Sequence, residues 1–122
     1  MFVKVDMHLK SKGAILKKIN HDLIIDDFQL SEKLSFGQVL VKVIYSGICG
    51  SQLGEIQGIK GKDNFLPHLL GHEGSGIVMD VGEGVVDLKK NDHVVMHWKP
   101  NNKAESANPK YYWKNKKLNA GK

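Results

Sequence analysis

Between Gln38 and Tyr45 the sequence sets Val39, Val41, Val43 and Tyr45 on one side of a period-two alternation and Leu40, Lys42 and Ile44 on the other. Side chains that alternate this way line the two faces of a strand, so the segment predicts a β-strand ending at Ser46-Gly47. Gly13 to Lys18 and Leu23 to Ile25 predict two further strands, joined near Asn20-His21 as an opening hairpin. Gly74 to Val81 alternates small and apolar residues, Val81-Gly82-Glu83-Gly84-Val85 supplies a glycine-rich turn, and His93 to Trp98 is another β-type run. Ser51 is placed to cap a short helical turn reaching Gln57, which Gly54 weakens. Gly58 to Pro67 reads as a loop. Beyond Trp98 the chain turns Lys-, Asn- and Ala-rich, with little periodicity and no obvious terminal element. The fold class expected is mainly β with a minor α part.

With 122 residues, 41% of them hydrophobic, the chain suits one small core and no more. Its apolar runs fall well short of the ~20 residues a membrane-spanning helix takes, so no membrane association is expected. Met1 to Lys12 mixes charge with single apolar residues and contains no export-signal pattern. A single cysteine, Cys49, cannot form an internal disulfide, which suits a reducing cytoplasm.

The formal net charge is +5, a sign that can mean affinity for phosphate. All 18 basic residues are lysine, however, and lysine lacks the bidentate fork with which arginine reads phosphate and guanine. No nucleic-acid partner is expected on that ground. The one stretch that points the other way is Lys110-Tyr111-Tyr112-Trp113-Lys114-Asn115-Lys116-Lys117, where aromatics between lysines resemble a platform for single-strand stacking. An ordinary surface loop is the competing reading.

Chemistry concentrates in Cys49 and in Gly71-His72-Glu73-Gly74. Thiolate and imidazole are donors that Zn²⁺ prefers, and a catalytic zinc takes three protein ligands with a fourth position open. By themselves a lone cysteine is more often a small buried hydrophobe, and a lone histidine a satisfied polar group. Their setting adds weight: Cys49 follows the strongest strand, and His72 sits in a glycine-flanked turn that opens another.

Gly37-Gln38-Val39-Leu40-Val41-Lys42-Val43, followed by Ser46-Gly47-Ile48-Cys49-Gly50-Ser51, resembles the zinc-binding segment of the medium-chain, zinc-dependent alcohol dehydrogenases. Pro67 to Leu70, Gly71 to Val78, Val81 to Val85 and Asn91 to Val95 resemble the same family in order and spacing, and linked blocks are more specific than any single motif. The resemblance covers residues 12 to 98. It implies a GroES-like, partly open β-barrel over residues 1–122, incomplete at its C-terminus, with no Rossmann domain in this chain. Residues 99–122 would form a lysine- and aromatic-rich lobe, held by packing through Trp98, Tyr111, Tyr112 and Trp113 or poorly ordered.

The resemblance further implies that Cys49, as thiolate, and His72, as neutral imidazole, are the first two ligands of a catalytic zinc. Glu73 matches an acidic neighbour able to orient the site or to enter the coordination shell, and Ser51 the hydroxyl that accepts the alcohol proton. The implied reaction is oxidation of a small alcohol to an aldehyde or ketone with hydride transfer to NAD or NADP, in a homo-oligomeric enzyme.

Gln52 stands where many members carry an acidic residue, and Gly54 where some carry a relay histidine. Lys99 to Lys122 contains no cysteine, so no structural zinc is expected. The stretch after Trp98 is shorter than the ~30 residues of one βαβ unit, so the nucleotide-binding half and the third zinc ligand are expected outside this chain. The chain alone would then bind zinc weakly and be inactive. A degenerate or free-standing GroES-like binding module is the alternative. An incomplete barrel also predicts unpaired sheet edges, exposed apolar surface and self-association.

Overall fold

The structure, a computed structural model, describes residues 8–99 and 105–120, and these fall into two compact units. The elements in chain order are β1 (His8–Leu16), β2 (Ile24–Ser31), β3 (Val39–Ser46), α1 (Gly50–Ile56), β4 (His68–Leu69), β5 (Gly74–Val81), β6 (His93–Met96), β7 (Tyr111–Trp113) and β8 (Lys116–Leu118). Strands dominate, as the alternation predicts. Among the described residues the strands pair antiparallel, apart from one parallel bridge between His68 and Asn119.

One unit comprises residues 8–33, 51–70 and 110–120. Its five-stranded sheet runs β4-β1-β2-β7-β8. β1 and β2 form the expected opening hairpin, with Ile15 opposite Ile24 and His8 opposite Ser31. Asn20 takes a left-handed conformation in the turn, φ 59°, which asparagine tolerates better than most residues. Both strands run longer than their apolar runs suggested, because the added residues (Lys10, Lys12, Asp27) belong to an exposed face and carry no hydrophobic signal.

The core of this unit gathers Ile15, Phe28, Trp113 and Leu118, with Ile24, Leu30, Leu69 and Tyr111 packed against it. Two of its four central residues come from the lysine-rich tail. Lys114 and Asn115, at φ 48° and 61°, make the two-residue link between β7 and β8. Positive φ at both positions is the geometry that matches the natural twist of a hairpin. Of the aromatics expected to anchor this end, Trp113 is buried and Tyr111 and Tyr112 are half-buried, whereas Trp98 is 72% exposed. With Trp113 and Tyr111 packed inward, the segment does not present the stacking platform that its composition resembles.

The short helix α1 closes with a Schellman arrangement: Ile59 N–H donates to Gly54 C=O at 3.0 Å and Gly58 N–H to Glu55 C=O at 3.2 Å. Gly58 supplies the left-handed residue this ending requires, φ 70°. The following loop is pinned by a buried pair, His68 Nδ1 to Asp63 Oδ2 at 2.9 Å, while the other Asp63 oxygen accepts from the Phe65 N–H at 2.7 Å.

The second unit comprises residues 34–50, 71–99 and 105–109. Its sheet runs β3-β5-β6. β5 is central, and Val78, fully buried, lies on it. β3 keeps the predicted alternation only in part, because register shifts at Leu40/Val41 and Val43/Tyr45 bulge the strand. A bulge turns successive side chains away from strict alternation. Val43, Ile44 and Tyr45 are consequently all exposed, at 54%, 47% and 75%.

Candidate metal centre

The pairing of β3 with β5 decides which residues meet. Ser46, at the end of β3, stands opposite Gly74, at the start of β5. The segment leaving one strand and the segment entering the other therefore lie at the same end of the sheet. Cys49 belongs to the first segment, His72 and Glu73 to the second.

Glycines fix the approach. Gly71 holds φ 125°, a conformation open to glycine and strained for other residues. A Cβ on Gly74 would lie 2.9 Å from the Tyr45 carbonyl oxygen and 3.1 Å from Met96 Cε. One on Gly47 would lie 2.9 Å from Glu73 Oε2 and 3.3 Å from its Cβ. Gly47 N–H donates to the Glu73 carbonyl at 3.1 Å, and Ser46 Oγ donates to the same oxygen at 3.4 Å. Gly47 and Ser46 thus seat Glu73, a role that the sequence alone did not assign to them. The available signal was a glycine directly after the strand.

The outcome is a compact donor set. Cys49 Sγ, a ring nitrogen of His72 and a carboxylate oxygen of Glu73 lie within 4.8 Å of one another. His72 Nε2 and Glu73 Oε1 are 3.5 Å apart. Cys49 is half-buried and in no disulfide, and the His72 and Glu73 side chains keep 27% and 44% of their exposure. The donor set is therefore partly exposed to solvent.

This chemistry fits zinc. Sulfur, nitrogen and oxygen donors are those zinc takes, and metal–ligand bonds of roughly 2.0–2.3 Å put tetrahedral ligands about 3.3–3.8 Å apart. Movements of about an ångström bring the three atoms to that spacing.

Ser51 is half-buried and lies inside the first turn of α1, which begins at Gly50. It is not the cap expected of it, because the helix starts one residue earlier. Gln52 is buried in the same turn.

The family profile of the alcohol dehydrogenase GroES-like domain matches residues 35–118. The chain is 38% identical over 90 residues to the D-arabinose 1-dehydrogenase (NADP(+)) of Saccharolobus solfataricus, covering 73% of this chain and 25% of that protein. It is 42% identical over 87 residues to an S-(hydroxymethyl)glutathione dehydrogenase of Escherichia coli, covering 71% and 23%. Among solved structures, an alcohol dehydrogenase zinc-binding domain protein from Burkholderia ambifaria superposes with a TM-score of 0.62 at 28% identity, over 71% of this chain and 23% of that one. The chain spans about a quarter of the length of these relatives.

Proposed function

Because the chain belongs to the family of the alcohol dehydrogenase GroES-like domain, we propose that it is the catalytic-domain portion of a zinc-dependent alcohol dehydrogenase. The complete enzyme would oxidise a small alcohol to an aldehyde or ketone and pass hydride to NAD or NADP. The observation that supports this reading is the meeting of Cys49, His72 and Glu73 donor atoms within 4.8 Å of one another.

Each residue has a distinct task. Cys49 as thiolate and His72 as neutral imidazole would hold the metal, and ligands that must be deprotonated would make binding pH-dependent. Glu73 adds a carboxylate that orients the site or joins the ligand set, seated by Gly47 and Ser46. When bound, zinc supplies Lewis acidity, which makes the hydroxyl of an alcohol easier to deprotonate. The Ser51 hydroxyl accepts that proton and passes it toward solvent. Gln52 cannot assist as a carboxylate would.

The third strong zinc ligand and the nicotinamide site are supplied by sequence beyond the segment matched here. The chain by itself is then inactive. We further place the enzyme in the cytoplasm as a homo-oligomer. Among the described residues no helix is long and apolar enough to cross a membrane.

The test is alcohol-dependent reduction of NAD or NADP by a longer protein carrying this segment, compared with its Cys49→Ser variant. Activity lost in the variant supports the proposal. Activity retained without Cys49 removes it.

A further inference from the structure

A second polar site lies on the five-stranded sheet, on the face opposite its core. Lys10 on β1 stands opposite Gln29 on β2, Gln29 opposite Tyr112 on β7, and Tyr112 opposite Lys117 on β8. The sequence neighbours Phe28, Trp113 and Leu118 are buried. Alternation along a strand turns the row Lys10-Gln29-Tyr112-Lys117 away from them. A lysine therefore stands at each end of a four-strand row with an amide and a phenol between.

A cleft of about 180 Å³ opens beside this row, lined among others by Lys10, Asp27, Gln29, Tyr112, Lys114 and Asn115. Two ammonium groups, two amides and a phenol give it an excess of donors. Against its two lysines the cleft has one carboxylate, Asp27, so its formal balance is positive.

Lys114 is the unusual residue. It occupies a left-handed turn position, φ 48°, where asparagine, aspartate or glycine is the ordinary choice. Its Nζ sits 4.9 Å from the Trp113 ring centroid, which restrains the ammonium by a cation–π contact. The hairpin turn thus sets Lys114 at the rim of the cleft.

We propose that this cleft binds a small phosphate-bearing anion, with Lys10 and Lys114 as its cationic contacts and Gln29 and Asn115 as neutral donors. Lysine serves phosphate as a point charge. The volume falls below the ~300 Å³ typical of sites for drug-sized ligands, so the phosphate group rather than a large attached body fills the cleft.

The experiment is calorimetric titration of the full chain with pyrophosphate, repeated on Lys114→Asn, Lys10→Gln and the outlying Lys33→Gln. Asparagine at position 114 keeps a residue that accepts the left-handed turn, and a cooperative melt establishes that each variant is folded. The expected result is saturable binding that weakens on the order of tenfold in each cleft variant, the loss of one charge-assisted contact, and is unchanged in Lys33→Gln. Absence of saturable binding overturns the proposal. Equal weakening in Lys33→Gln also overturns it, since that marks a diffuse lysine surface. A short oligothymidylate that binds without competition from pyrophosphate overturns it in favour of a nucleic-acid surface.

Discussion

Trp113 Nε1–H donates to Asp26 Oδ2 at 2.8 Å, joining residues 87 positions apart in the chain. The bond ties the β7–β8 hairpin to β2 beside a core to which both contribute. It also holds the Asp26 carboxyl below its ordinary 3.8, chiefly through the Trp113 hydrogen bond and next through the Asp27 backbone N–H.

A depressed carboxylate stabilises the fold above its unfolded-state value and loses that contribution as pH falls through the folded one. Asp26 therefore strengthens the fold above about pH 3.8 and ceases to do so in stronger acid. Acid titration of the melting temperature is expected to show a shallower decline below pH 3.8 in Asp26→Asn than in the parent. An unchanged profile would detach Asp26 from the acid sensitivity.

The tail hairpin is expected to be integral to the fold. Leu118 is 2% exposed within the core, and truncating a buried leucine typically costs about 2–5 kcal/mol. Leu118→Ala should lower unfolding free energy by that amount in denaturant titrations, while Lys117→Gln, exposed on the same strand, should change it by no more than about 0.5 kcal/mol. A neutral Leu118→Ala would mark the hairpin as dispensable.

Much of this was legible in advance, and the failures share a cause. β3, β5 and β6 announce themselves because Val39 to Ser46, Gly74 to Val81 and His93 to Met96 carry dense apolar or small-residue patterns. Cys49 and His72 could be nominated because glycines and strands frame them, and Glu73 through the family resemblance. The tail hairpin could not, because its turn uses Lys114-Asn115 rather than Asn-Gly and its strands are three residues long. Trp98 looked like an anchor from its aromaticity, yet exposure is set by tertiary packing that no local pattern encodes. The support given to Glu73 by Gly47 was likewise invisible, since it depends on the β3–β5 register.

Gly76 tests that register. It is buried, and a Cβ there would run into the Lys42 carbonyl oxygen and approach Val41 Cγ1 at 2.7 Å. Backbone on the facing strand cannot step aside as a side chain can, so Gly76→Ala should destabilise by about 1–3 kcal/mol. Because the β3–β5 pairing brings Gly47 and Ser46 to Glu73, the same variant is expected to bind zinc more weakly than the parent. Isothermal titration alongside a melt reads both effects.

Self-association should follow from β3. Among the described residues it pairs with β5 on one side only, and Val43, Ile44 and Tyr45 are all exposed along it. An apolar edge strand is a template for pairing with another chain. Sedimentation velocity is expected to show mass rising with concentration, and Tyr45→Lys, which puts charge on the edge, should shift the distribution toward monomer. A parent that stays monomeric at all concentrations would contradict this.

The central claim is that Cys49, His72 and Glu73 form a metal centre. Elemental analysis after equilibration with buffered zinc, on the parent and on Cys49→Ser and His72→Ala, tests it most directly. With only part of its ligand set in this segment, the parent is predicted to bind zinc weakly, reaching about one per chain at saturating zinc, with little or none in either variant and affinity reduced on the order of 10- to 100-fold in Glu73→Gln. A parent that takes up no zinc, or variants that retain it fully, would contradict the account.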